Sequence, residues 1–583
     1  MRKIVLVLIV VALAISAGAY VYFYQPFSQQ TVIESVLPGE TMAMVRVCEL
    51  NKQIERFKAG RLGQSLAGID LARLMEVMEV PVKDRLEIIQ NLEKFKTAID
   101  SPWFNALFGR DIALAVLNVS FEAQQSSAAD IKKLLDAFVL VSRPKQPTHI
   151  LESLNSLFAT QLSVETQTYK QWDIHKVLLK EGRPLYYALT DGLAIAGLSA
   201  VPVQRCLEQS LTASASLLQS AAYQKHCSTL FKAGQTDYIA FVDADEVFGL
   251  LFKLANRKVE KDTEKMALKA QLESIQGVDT INLVQYDDGG SVVRSKLILE
   301  MDRERLSPML AQIIGTAPVS NVTLKLAPMD TLLYSWSNNF DLKLYWKQVQ
   351  EQPGMSPETV AQFKQTFAKQ TGMALDALLE AFGTQAGLLL NDINTGGMFP
   401  IPELAFFIQV KQPEVVDQLI KRQIKQLNMA LQKETYHGTD LQYLVLPMGA
   451  DLSPAYTFSD GFCTVAVNRN LLKSMLDAEE ANHLSSDPSF VALNQGLTDE
   501  NNQVFFMHAE GLLAKVREVV DLGLSWMAMS NPKGVEKAKQ VVALGINPLL
   551  DGIAMIKAVS GRTYIEDDHI TSDVQALLDR TVN

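Results

Sequence analysis

The sequence predicts an α+β fold: two tandem homologous modules, each a largely antiparallel sheet with helices packed on it, behind an N-terminal transmembrane helix. Three observations lead there. The chain repeats itself in order, its apolar runs alternate with turn signals, and its first residues form an uncharged apolar segment.

The repeat comes first, because a missed duplication misreads every later element. Residues 137–144, AFVLVSRP, return at 405–413 as AFFIQVKQP. Around this pair, Pro38-x-x-Thr41 matches Pro328-x-x-Thr331, and Phe108-Gly109 matches Phe382-Gly383. Tyr169 and Asp173 match Tyr436 and Asp440, Asp191-Gly192 matches Asp460-Gly461, and Phe241 matches Phe506. The separation falls from about 290 to about 270 residues and then stays nearly constant, which chance similarity would not produce. The step falls in a helical stretch that is longer in the first copy. Modules are expected at residues 37–320 and 321–583.

Residues 4–24, IVLVLIVVALAISAGAYVYFY, follow Arg2-Lys3 and carry no charge. They are long enough to cross about 30 Å of hydrocarbon as a helix. The basic flank stays inside and Tyr20, Tyr22, Phe23 and Tyr24 suit the interface, so residues 1–24 are expected to anchor the chain. A cleaved signal ending at Ala17-Gly-Ala19 is the competing reading, and both readings export the body. The short basic flank has a bacterial look. The expected location is the inner membrane, single-pass, with a tether over residues 25–36 and the body in the periplasm.

Along the first module, 41–47 alternates as a strand. Residues 50–66 place Ile54, Phe57, Leu62 and Leu66 near helical spacing, and 71–99 continues as helix with a break at Pro81. Ser101-Pro102 signals another helix start. Strands are expected at 112–119, 137–142, 164–172, 174–179, 185–189, 193–197 and 238–243. Helices are expected at 149–158, 203–211 and 215–223, with a charged helix over 246–275. A hairpin over 278–286 and 292–300 closes the module. The second module repeats this from about Val322 and turns its last hairpin at Asp567-Asp568. The Asp-Gly pairs read as two-residue hairpin turns, since Gly tolerates positive φ. Polar residues 120–130 and NDINTGGMFPIP at 391–402 are expected as the differing loops between matched strands, the first place to seek a difference in role between the copies.

The run 37–66, LPGETMAMVRVCELNKQIERFKAGRLGQSL, resembles the opening of an uncharacterised family of exported bacterial envelope proteins, a domain of unknown function. The matching positions are Leu37, Pro38, Thr41, Phe57 and Leu62-Gly63. The second copy keeps Pro328, Thr331 and Trp346 without the Leu-Gly turn. The resemblance implies an envelope location. It brings no activity and no site residues.

Tests for chemistry return structural readings. The 54 basic and 65 acidic residues give a net charge of −11, which disfavours nucleic acid as a partner. His149, His175, His226, His437, His483, His508 and His569 show no ligand spacing. Ser65 lies in a helical run without the final Gly of a nucleophile elbow. Asp243, Asp245 and Glu246 read as a helix cap, and Asp567-Asp568-His569 as a turn, ahead of any cation site. Tyr169/Tyr436, Tyr187/Tyr456 and Phe241/Phe506 read as core ahead of a ligand groove. Cys48, Cys206, Cys227 and Cys463 read as small buried residues, with a Cys206–Cys227 disulfide as the alternative. No catalytic, cofactor-binding or metal residue is assigned. The expected function is binding or scaffolding of an envelope protein or a lipid-like ligand, without catalysis. A hydrolase with a dispersed site and a carrier of an apolar ligand are the alternatives.

Overall fold

The computed structural model describes residues 33–118, 133–144, 164–178, 182–190, 192–212, 215–232, 235–258, 269, 272–287, 290–351, 355–397, 399–446, 452–480 and 482–580. The expected anchor, most of the tether, His149 with its helix, the 120–130 loop, and most of 246–275 beyond Lys258 lie outside them. No described helix is long and apolar enough to cross a membrane.

The architecture is α+β, with helices around a 20-stranded antiparallel sheet. Ten strands come from the first part of the chain. They are β1 (Thr41–Val47), β2 (Asp111–Leu117), β3 (Phe138–Arg143), β4 (Val164–Tyr169), β5 (Trp172–Leu178), β6 (Pro184–Thr190), β7 (Leu193–Gly197), β8 (Thr236–Asp243), β9 (Val278–Asp287) and β10 (Val292–Met301). They pair in the order β4-β5-β6-β7-β3-β2-β1-β8-β9-β10. The second part supplies β11 (Val319–Ser320), β12 (Leu333–Ser337), β13 (Phe382–Asn394), β14 (Ile401–Val410), β15 (Leu431–Tyr436), β16 (Thr439–Leu444), β17 (Ala455–Ser459), β18 (Phe462–Ala466), β19 (Glu500–Asn501), β20 (Gln503–Met507), β21 (Ile556–Glu566) and β22 (His569–Leu578). Their order is β15-β16-β17-β18-β14-β13-β12-β20-β21-β22, strand for strand the same as the first. β10 and β22 pair along their length and join the two sets into one sheet. The small pair β11–β19 stands apart, so Val319-Ser320, placed at the end of the first segment by sequence, bonds to the second.

Local chemistry explains the boundaries. Asp460 and Gly461 both take positive φ, 47° and 79°, which is the two-residue turn that Asp-Gly favours. Ser101, Ser307, Ser356 and Asp487 each accept an N–H of the following helix, and Pro occupies the first turn every time. Thr41 donates its hydroxyl to Pro38 O at 2.6 Å, and Thr331 does the same to Pro328 O at 2.7 Å. Two expectations need correction. Half of the segment 391–402 is strand, because β13 runs on to Asn394 and β14 starts at Ile401. The helix expected at 215–223 is a short 3-10 turn, Leu217–Gln219, followed by helix Ala221–Lys225. Ser216 bridges to Pro38 and holds the backbone extended there.

Two main cores lie on one face of the sheet. Met44, Val139, Val141, Ile195 and Phe241 pack under helix Ala200–Leu211 and Tyr223. Tyr334, Leu389, Phe407 and Phe506 pack under helix Arg469–Glu480 and Phe490. Tyr223 meets Phe241 at 5.5 Å between ring centroids, and Phe490 meets Phe506 at 5.4 Å. Helices Arg61–Ala67 and Leu71–Val77 pack against helices Asn547–Ile553 and Pro532–Val541.

Candidate functional site

The aromatic positions singled out by sequence are structural. Phe241, Phe506, Tyr187 and Tyr456 are buried. Tyr169 and Tyr436 donate hydroxyls to Glu208 at 2.5 Å and Asp477 at 2.8 Å, tying each edge hairpin to a helix. All four cysteines are buried and free, so the Cys206–Cys227 disulfide is not formed. Burial pushes Cys48 and Cys206 up to about 12, which makes them poor nucleophiles.

The histidines are mostly dispersed. His175 stacks on Tyr187 at 4.9 Å, His437 sits in a hairpin turn 3.3 Å from Asp477, and His483 meets Ser485. His508 Nδ1 accepts from Gly511 N and caps helix Ala509–Ser530. Ser65 lies on helix Arg61–Ala67, against Gly552. Asp243 accepts from Glu246 N at 3.1 Å, a helix cap, while Asp245 pairs with Arg305.

His226 and His569 do meet, with rings 5.0 Å apart, where the two strand sets join. His569 contacts Glu566 at 2.8 Å and Asp568 at 3.0 Å. Lys225 reaches across to Asp568 at 2.8 Å and also holds Glu300. His569 and Lys225 hold the Asp568 carboxyl well below its usual range, while burial pulls His226 down. The arrangement is an ion-paired joint between strand sets.

A charged cluster that sequence reading missed lies under the first core. Arg46 of β1 donates to both oxygens of Glu34, at 2.9 and 3.1 Å, and to Asp111 at 2.8 Å. Tyr223 donates to Glu34 at 3.3 Å, and the Phe231 ring lies 5.1 Å from the guanidinium. Burial works against the Arg46 charge. Glu34 and Asp111 outweigh it and keep the arginine above its ordinary value. The signal was available: Met42, Met44 and Arg46 share one phase of an alternating strand, so Arg46 had to point inward.

Beside it, Asp237 is 1% exposed. It accepts from Gln53 at 3.1 Å, and its second oxygen has no partner among the described residues. Burial, then the nearby Asp287 carboxylate, push it up to about 8 against Gln53, Arg56 and Arg580. Asp287 is itself held by Arg580 at 2.6 Å. A perturbed acid often marks a site. This one is buried beside the Arg580–Asp287 ion pair.

The open features are apolar surfaces. Helix Val82–Asp100 buries none of its residues, and Val82, Leu86, Ile88, Leu92 and Phe95 are exposed along it. On the sheet face opposite the cores, Leu388, Phe406 and Val465 lie in register across β13, β14 and β18, each about two-fifths exposed.

No family model and no curated protein matches the chain. One solved structure, described as crystal form I of TP0453, matches over 49% of this chain and 85% of its own, at 9% identity and a TM-score of 0.22. A likeness at that score carries no argument.

Proposed function

We propose that this is a membrane-tethered envelope protein of two homologous modules that binds or scaffolds a partner protein and catalyses no reaction. Residues 1–24 serve as the inner-membrane anchor, 25–36 as the tether, and 37–320 and 321–583 as the duplicated modules in the periplasm. The common strand order and the twin Thr–Pro contacts support the duplication.

The observation that carries the binding reading is helix Val82–Asp100. Ile88, Leu92 and Phe95 fall on one side of it at i, i+4 and i+7, and that side stays in solvent where a helix ordinarily buries its apolar residues. Apolar side chains grouped this way mark an interaction surface, whereas isolated ones need no explanation. The test is crosslinking and pull-down of the tagged full chain from membranes, with lipid extraction of the same sample. One stoichiometric protein should be recovered. Replacing Ile88, Leu92 and Phe95 by Ser should abolish that recovery, while changing unfolding free energy by no more than about 1.5 kcal/mol in total, as expected for three exposed positions. Recovery of lipid alone would favour an apolar-ligand carrier. Turnover of ester or peptide substrates by the purified chain would overturn the non-catalytic reading.

A further inference from the structure

The sheet ends, on the side of the second strand set, in the hairpin β15–β16. His437 and Gly438 turn it with φ of 47° and 77°. In such a hairpin the residues flanking the turn, here Tyr436 and Thr439, exchange hydrogen bonds, and every second pair does so after them. The N–H and C=O groups of Leu431, Lys433 and Thr435 therefore point away from β16. Among the described residues β15 pairs with no other strand.

The side chains of Leu431 and Lys433 line a groove of about 310 Å³ beside this edge. Its other wall is the end of helix Pro413–Gln426, with Lys421, Ile424 and Lys425, followed by Met429. The lining is apolar at Ile424, Met429 and Leu431, basic at three positions, and contains no carboxylate. Lys421 and Lys433 each have one acidic neighbour, Asp417 at 2.7 Å and Asp440 at 2.6 Å. Lys425 has none among the described residues. In a chain of net charge −11, positive charge gathered around an apolar trough is a local reversal. Among the described residues the opposite edge is β4, which has Val164, Thr166 and Thr168 at the matching hairpin positions and no lysine there.

We propose that β15 is a docking edge for an extended acidic segment of a partner protein, which adds to the sheet as a further strand. The backbone groups of Leu431, Lys433 and Thr435 supply the ladder. Alternate side chains of the incoming strand face the groove. Apolar ones lodge among Ile424, Met429 and Leu431, and carboxylates meet Lys421, Lys425 and Lys433. An edge lysine on its own guards against stray pairing. Three lysines around an apolar trough instead select the charge of what pairs. This rests on the binding reading above and gives the partner its chemistry.

The test uses the full chain in nanodiscs and a labelled nine-residue peptide with Glu and Leu alternating at odd positions and Thr at even ones. Fluorescence anisotropy should show saturable binding that weakens as salt rises. Lys425→Glu with Lys433→Glu should weaken it at least tenfold; Lys433 is exposed and Lys425 is solvent-facing, and a thermal melt checks the fold. A peptide N-methylated on the groups facing the edge should not bind. The proposal is overturned if the wild-type chain fails to bind at millimolar peptide, if Lys in place of Glu binds equally, or if N-methylation has no effect. It is also overturned if phosphatidylglycerol vesicles, and not the peptide, bind in a way the double variant abolishes. A partner recovered by crosslinking, with no binding of this peptide, removes the docking edge and leaves the binding reading standing.

Discussion

Arg46→Ala should destabilise the protein by about 3–5 kcal/mol, read from the midpoint and slope of denaturant unfolding. The substitution leaves Glu34 and Asp111 buried with their cation gone. A buried carboxylate without its partner keeps the desolvation penalty and loses the attraction that offset it. The second strand set shows how the same place is filled without charge. Where the first has Arg46, Glu34, Asp111 and Tyr223, the matching positions hold Trp336, Leu324, Gln385 and Phe490. Trp336 is 1% exposed and its indole N–H donates to Gln385 at 3.3 Å. A variant carrying Arg46→Trp, Glu34→Leu, Asp111→Gln and Tyr223→Phe together should recover most of the loss, because well-packed apolar groups commonly replace a buried ion pair at little cost. A loss below about 1 kcal/mol for Arg46→Ala would mean that the cluster does not hold this end of the sheet.

Asp237→Asn should stabilise the protein near pH 8 by roughly 2 kcal/mol or more and flatten its pH dependence. The sign follows from where each state releases the proton. The unfolded chain loses it near the ordinary 3.8, while the folded chain keeps it up to about 8. Between those values the unfolded state binds fewer protons, so stability falls as pH rises through the window and levels off above it. Asparagine has no proton to lose. The matching residue in the second strand set is already Asn502, whose side chain donates to Asn338 and to Thr316 O and accepts from Ile565 N. Melting temperatures from pH 5 to 8.5 would decide it. A wild-type slope that persists in Asp237→Asn would place the titration elsewhere.

Most elements could be read from sequence because each has a local cause. Alternation set the inward face of β1, Pro after a cap residue set helix starts, and Asp-Gly set the turn at 460–461. Repetition added what one copy could not, since two strands with the same neighbours on both sides are poor candidates for chance. Long-range matters were not legible. Alternation turns Arg46 inward, but its partner Asp111 lies 65 residues further along the chain, and nothing local marks the pair. The β10–β22 pairing has no local signature, because register between distant strands follows from both faces at once. The basic groove draws on helix Pro413–Gln426 and β15, and a linear reading sees only scattered lysines.

The β10–β22 ladder departs from strict twofold symmetry at its centre. Its register places Lys296 opposite Asp573, and these two are matched positions of the two repeats. A self-complementary dimer would set each such residue against its own copy across the dyad, lysine facing lysine or aspartate facing aspartate. Here the two positions carry opposite charges, which stand 3.9 Å apart. The middle of the molecule is thus where a strictly twofold pairing would repel and where this one attracts.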